Sequence, residues 1–128
     1  LIEHEKNFVK FLEITKKVKK FKYEVISGDM FLWMDNNNQK FKITLALSIF
    51  HHYLKTKKLF EKLKGFLNKL DTEVLILETH NTKEKQMIGS YKNFTGTEFV
   101  SFIKKEANLK TSKKIGEING REMYILKK

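Results

Sequence analysis

The apolar positions along this chain change their period several times, and each change predicts an element. Phe8, Phe11, Leu12, Thr15 and Val18 fall on one side of a helix over residues 5–20, with lysines on the other side. "YEVIS" (23–27) reads as a short strand ended by Gly28 and Asp29. "MFLWM" (30–34) fits one or two helical turns, and "DNNNQ" (35–39) a polar loop. "KITLALSIF" (42–50) is a near-continuous apolar run, the pattern of a strand buried on both faces of a parallel sheet.

Leu59, Leu63, Phe66, Leu67 and Leu70 mark an amphipathic helix over residues 57–70, weakened slightly by Gly65. "EVLILET" (73–79) is a second buried strand, followed by the polar loop "HNTKEKQ" (80–86). Thr95 and Glu98 form the capping-box pattern T-x-x-E ahead of Phe99, Phe102 and Ile103, which opens another helix. Two strands, 113–118 and 122–128, flank Asn119-Gly120, the strongest short hairpin signal. Strands alternating with helices predict an α/β sheet, mostly parallel, with a C-terminal antiparallel hairpin. Phe8, Phe11, Phe66, Phe99 and Phe102 are expected in the core, since helical spacing already explains them.

Composition narrows the class. At 128 residues, 41% hydrophobic and 12% aromatic, the chain is expected to form one domain, residues 1–128, with a real core. No run of 18 apolar residues predicts a membrane span, and the N-terminus carries no signal-peptide pattern. The absence of cysteine excludes disulfides and thiolate metal sites; it goes with an expected cytoplasmic setting. The first residue is Leu1 and not methionine, which leads us to expect a chain that begins mid-protein.

The net charge of +11 has two readings. One is attraction to phosphate, as in a non-catalytic, lysine-rich α/β module that binds nucleic acid. The other is coding bias. Arg121 is the only arginine, and the chain is rich in lysine, asparagine, isoleucine and phenylalanine. A nucleic-acid reader is expected to use arginine for bidentate contacts, so coding bias explains the charge better.

"FKITLALSIFHHYLK", an amphipathic helix and then "TEVLILETHN" resemble the fourth strand, fourth helix and fifth strand of the class I, Rossmann-fold methyltransferases that use S-adenosylmethionine. "ISGDMF" is similar to that family's third-strand motif and "GREMYILKK" to its last strand. Glu78, at the end of "EVLILE", fits a subset that includes tRNA wobble-uridine methyltransferases. The family's glycine-rich loop is missing: glycines 28, 65, 89, 96, 116 and 120 form no G-x-G-x-G cluster. Counting back from Asp29 puts Leu1, Ile2 and Glu3 at the end of the family's second strand. The resemblance therefore implies a first strand, glycine loop and first helix upstream, and a fragment inactive by itself. In the family's strand order, 3-2-1-4-5-7-6, that first strand lies beside the one formed by "KITLALSIF", which is then expected to lack a partner along one edge.

The resemblance also assigns candidate roles. Glu3 would accept from both ribose hydroxyls, a task suited to an acceptor-only carboxylate; the alternative is an exposed glutamate at a helix start. Asp29 would accept from the adenine amino group, with Met30 packing on the ring or offering its backbone N–H; the alternative is a helix N-cap. Ala46 to Ser48 would face the methionine moiety. His51 and His52 invite a metal reading, but adjacent positions on an extended segment point apart and no third ligand is suitably spaced. His52 is the candidate to line the acceptor side, as a base or as a pocket wall. Glu78 and His80 would lie at the same edge, the alternative being a solvated strand end, and Trp33 beside the adenine. The methyl acceptor stays open among a nucleic acid, a sugar or lipid intermediate and a small metabolite, with no membrane partner expected.

Overall fold

The computed structural model describes residues 1–3 and 5–128. Leu1–Asn38 makes one compact unit and Gln39–Lys128 another.

In the first unit, strand β1 (Ile2–Glu3) pairs in parallel with β2 (Ile26–Ser27), in the register Ile2 to Ile26 and Glu3 to Ser27. Helix α1 (Lys6–Lys19) connects them, and Tyr23 ties back to it through a 2.9 Å hydroxyl bond to the Leu12 carbonyl. The strand covers only the end of the predicted 23–27. Helix α2 (Met30–Asp35) starts at Asp29, whose carboxylate accepts from the Phe31 and Leu32 amides at 2.7 and 3.3 Å. Phe8 and Phe11 are exposed, not core as expected, and α1 buries no residue. Their helical spacing is correct; periodicity shows that a helix has an apolar side, not what covers it.

The second unit holds a four-stranded sheet in the order β3-β4-β6-β5. Strand β3 (Lys40–Ala46) runs parallel to β4 (Asp71–Glu78), linked by a 3-10 helix at Phe50–Leu54 and helix α3 (Lys57–Lys69). After helix α4 (Gly96–Glu106), the hairpin β5 (Thr111–Ile118) and β6 (Arg121–Lys127) adds two strands, with β6 antiparallel to β4. Asn119 and Gly120 both take positive φ, 53° and 73°, the left-handed pair that a two-residue hairpin turn requires. The Asn81 side chain also crowds the turn, 2.5 Å from where a Cβ on residue 120 would stand.

The core lies between one sheet face and the two helices. Phe60, Leu63, Phe66 and Leu67 of α3 are buried, as are Phe99, Val100 and Ile103 of α4. Between them sits an aromatic cluster in which Phe60 stacks on Phe102 at 5.0 Å and Phe94 on Phe102 at 5.4 Å. Thr95 and Glu98 form both bonds of the predicted capping box.

Strand β3 departs from expectation. It ends at Ala46, and it is not buried on both faces: Ile43 and Leu45 are each 61% exposed. Its only strand partner among the described residues is β4. The segment 84–94 supplies no further strand; it forms a short 3-10 helix at Lys85–Met87 within irregular chain. The unpaired edge of β3 is the one expected from the strand order, of which β3-β4-β6-β5 follows the 4-5-7-6 part; what departs is burial, since Ile43 and Leu45 lie two residues apart on one uncovered face.

Candidate functional site

The C-terminal ends of β3 and β4 are where polar chemistry collects in the second unit. Glu78 is the last residue of β4, and Arg121 the first of the antiparallel β6, so both stand at that end of the sheet. The Thr79 amide donates to the Glu122 carbonyl and the Glu122 amide to the Thr79 hydroxyl, which holds the two strands together there.

The Arg121 guanidinium organises the edge. It grips Glu84 with two bonds, Nε to Oε1 at 2.7 Å and Nη2 to Oε2 at 2.8 Å. Its Nη1 donates to Ser48 Oγ at 2.7 Å and to Glu78 Oε1 at 3.1 Å. Ser48, in a left-handed conformation just past β3, donates in turn to Glu78 Oε1 at 2.8 Å. Fork-shaped pairs of this kind are among the strongest charge-assisted hydrogen bonds. The bond from Arg121 pulls the Glu84 carboxyl down to about 2, against the opposing effect of its partial burial. The same bond raises Arg121.

Beneath this network lie two buried histidines. Gln86 Nε2 is fixed by its 2.5 Å bond to Glu84 and stands 3.3 Å from His51 Nε2. An amide nitrogen only donates, so His51 accepts on Nε2 and carries its proton on Nδ1. Asn93 is oriented by donating to the Thr82 carbonyl, so its oxygen faces His80 Nε2 at 3.2 Å, and that nitrogen bears the proton of His80. Burial lowers the pKa of His51 to about 4, with electrostatic contributions from His52, Arg121 and protonated His80 in the same direction and from Glu84 against it. Burial lowers His80 too, with the Asn93 bond opposing. Both rings are neutral at pH 7. The Nδ1 atoms of both are buried without a hydrogen-bond partner among the described residues.

Beside Glu78 and Arg121 opens a cleft of about 390 Å³, completed by Ile118, Asn119 and Met123.

The candidates read from the sequence fall into both units. In the first, Glu3 and Ser27 are register partners, Gly28 N donates to the Glu3 carbonyl at 3.0 Å, and Asp29 follows. Glu3 and Asp29 thus share the C-terminal end of the two-stranded sheet. Asp29 also makes the N-cap foreseen as its alternative role, and both of its capping bonds fall on Oδ1. Met30 and Trp33 lie on α2, partly exposed. In the second unit, Ala46 is buried at the end of β3 and pairs with Leu77.

His52 is exposed on the 3-10 helix, its ring 4.1 Å from that of His51. The two rings therefore do not point apart, as an extended segment would have required; the segment is helical. Burial and the nearby Lys55 and Arg121 lower His52, against Glu84. Among the described residues, no three histidine or acidic side chains are placed to share a metal ion.

Sequence reasoning missed Arg121 and Glu84 as site residues. One signal was available: a lone arginine in a chain with 26 basic residues. Its planar fork does what lysine cannot.

No family model matches the sequence, and no curated protein matches it. Solved structures do, with 14 matching chains. One is a SAM-dependent methyltransferase from Archaeoglobus fulgidus, similar over 99% of this chain and 74% of its own, with a TM-score of 0.62 and 14% identity. Another is a chain of the Pnkp1/Rnl/Hen1 RNA repair complex, with a TM-score of 0.59 and 17% identity. The match takes in 99% of this chain but spans 30% of that one. At these identities the likeness establishes the fold: a Rossmann-like, methyltransferase-type α/β architecture with a parallel sheet and an antiparallel hairpin.

Proposed function

We propose that the chain is an S-adenosylmethionine-dependent methyltransferase domain whose glycine-rich cofactor turn is not among these 128 residues. The observation that carries this reading is the likeness over 99% of the chain to a solved SAM-dependent methyltransferase. It is supported by the clustering of polar groups at strand C-terminal ends, where open α/β sheets bind ligands.

The residues present fit the nucleoside end of the cofactor and not its methionine end. Glu3 and Asp29 stand at the tips of two paired strands, and the Asp29 capping bonds use only Oδ1. Two acceptor-only carboxylates suit ribose hydroxyls and an adenine amino group. Met30 would pack on the ring. No G-x-G cluster exists to bring backbone amides onto the methionine moiety. When bound, the cofactor supplies an activated methyl group. The chain's part is to orient it and to present the acceptor, and His52 would line the acceptor side. The lysines do not favour a charge-driven binding module, since α1, α3, α4, β3, β5 and β6 all carry them.

Titration of the labelled chain with S-adenosylhomocysteine, followed by amide chemical shifts, tests the reading. Saturable shifts at Glu3, Asp29 and Met30 are expected, with affinity weaker than micromolar. Asp29→Ala is expected to weaken binding by about 1–3 kcal/mol, as an unmet donor does. No response at those three amides refutes the cofactor site, and micromolar binding refutes the missing turn.

A further inference from the structure

We infer that the cleft beside Glu78 and Arg121 is the acceptor pocket, and that it takes an uncharged or cationic group presenting an N–H or O–H to Glu78, not a phosphate or carboxylate. The inference rests on the methyltransferase reading for its word "acceptor"; its chemistry rests on the site alone.

The cleft has the size of a small ligand site, about 390 Å³, against a usual range of roughly 300–1,000 Å³. Ile118 and Met123 give it apolar walls, and Glu78, Asn119 and Arg121 its polar groups. It opens at the end of β4, the edge at which such sheets bind ligands.

Arg121 invites the opposite conclusion, that the cleft grips an anion. The hydrogen bonds decide against it. A guanidinium has five N–H donors. Four are committed inside the protein: two to Glu84, one to Ser48 and one to Glu78. The bidentate face, which would otherwise receive a carboxylate or phosphate, is filled by Glu84. Two carboxylates against one guanidinium leave the cluster formally negative, with His51 and His80 neutral beneath it. An anion entering the cleft would meet repulsion and no free fork.

Glu78 is the group with capacity left. Its bonds from Ser48 and Arg121 both fall on Oε1, and Oε2 has no hydrogen bond among the described residues. A carboxylate oxygen can only accept. A ligand group that binds it must donate, replacing solvent at that oxygen. A locally acidic, acceptor-rich cleft on a protein of net charge +11 is therefore a specificity device. It selects for a donor at the reacting end even where the rest of a substrate is anionic.

The test compares probes of one shape: benzamide, which donates through its amide, and benzoate and phenyl phosphate, which do not. Each is titrated at millimolar concentration into the labelled chain, reading the amides of Glu78, Asn119, Arg121 and Met123. Saturable shifts with benzamide and at least tenfold weaker response to both anions are the expected result. Glu78→Gln, which keeps the shape and removes the charge, is expected to narrow that preference to less than threefold. Equal or stronger binding of benzoate overturns the inference, as does a benzamide response confined to other residues or absent. The S-adenosylhomocysteine titration separates the two readings. Cofactor shifts without a benzamide response sink the cleft alone; a benzamide response without cofactor shifts sinks the methyltransferase reading alone.

Discussion

Arg121 holds together residues far apart in sequence: Ser48, Glu78 and Glu84. Its replacement by alanine leaves the Glu78 and Glu84 side chains, 20% and 21% exposed, without their counter-ion. A cost of about 1–3 kcal/mol is expected in urea unfolding, below the roughly 3–5 kcal/mol of a fully buried pair. Arg121→Lys is expected to recover only part of it, because a point charge cannot make the two-pronged bond to Glu84. His51 sets a pH dependence of known sign. Its folded pKa of about 4 lies below the ordinary 6.5, so between those values the unfolded chain binds a proton that the folded chain refuses. Stability is therefore expected to fall as pH drops from 6.5 to 4, by up to about 3 kcal/mol from this residue. Thermal midpoints across that range measure it, and His51→Gln is expected to flatten the slope. Glu84 acts lower down: its contribution is lost as pH falls from 4.5 towards 2. The sequence marked Glu78, His51 and His80 as candidates, yet it did not show which of the two adjacent histidines is buried. Neighbours in sequence share a local pattern, and only the packing around the 3-10 helix separates them.

Among the elements, the two with strong local signals formed as read. The capping box at Thr95 and the Asn119-Gly120 turn depend on bonds and backbone angles within a few residues, so sequence spacing suffices to specify them. Strand β3 was read as buried because its residues are apolar; whether a strand is central or at an edge depends on which other strands exist beside it. β3 is an edge strand, and Ile43 and Leu45 beside that edge are exposed, an apolar combination of the kind that templates self-association. Ile43→Lys is expected to lower the light scattering of concentrated solutions while shifting the unfolding midpoint little, the change being on an exposed position. An unchanged scattering profile would show that this edge is not what drives association.

At the scale of the molecule, the two units differ in how much they bury. Helix α3 places four residues in the core, and α1 places none. An isolated helix of 14 residues is marginal in water, so α1 lacks the packing that makes helices persistent. Hydrogen exchange is expected to be faster across α1 than across α3, with β4 slowest of all; equal protection in the two helices would contradict this. The sequence by itself determined the alternation of helix and strand, the hairpin, the caps and hence the α/β class. These follow from periodicity and local bonding, which a linear chain carries in full. The tertiary structure alone decided the exposure of Ile43 and Leu45, the burial of His51 and His80, and the convergence of Arg121 with Glu78, Glu84 and Ser48. Each of those depends on residues brought together from distant parts of the chain. No local pattern encodes a contact whose two halves lie 73 positions apart, as Ser48 and Arg121 do.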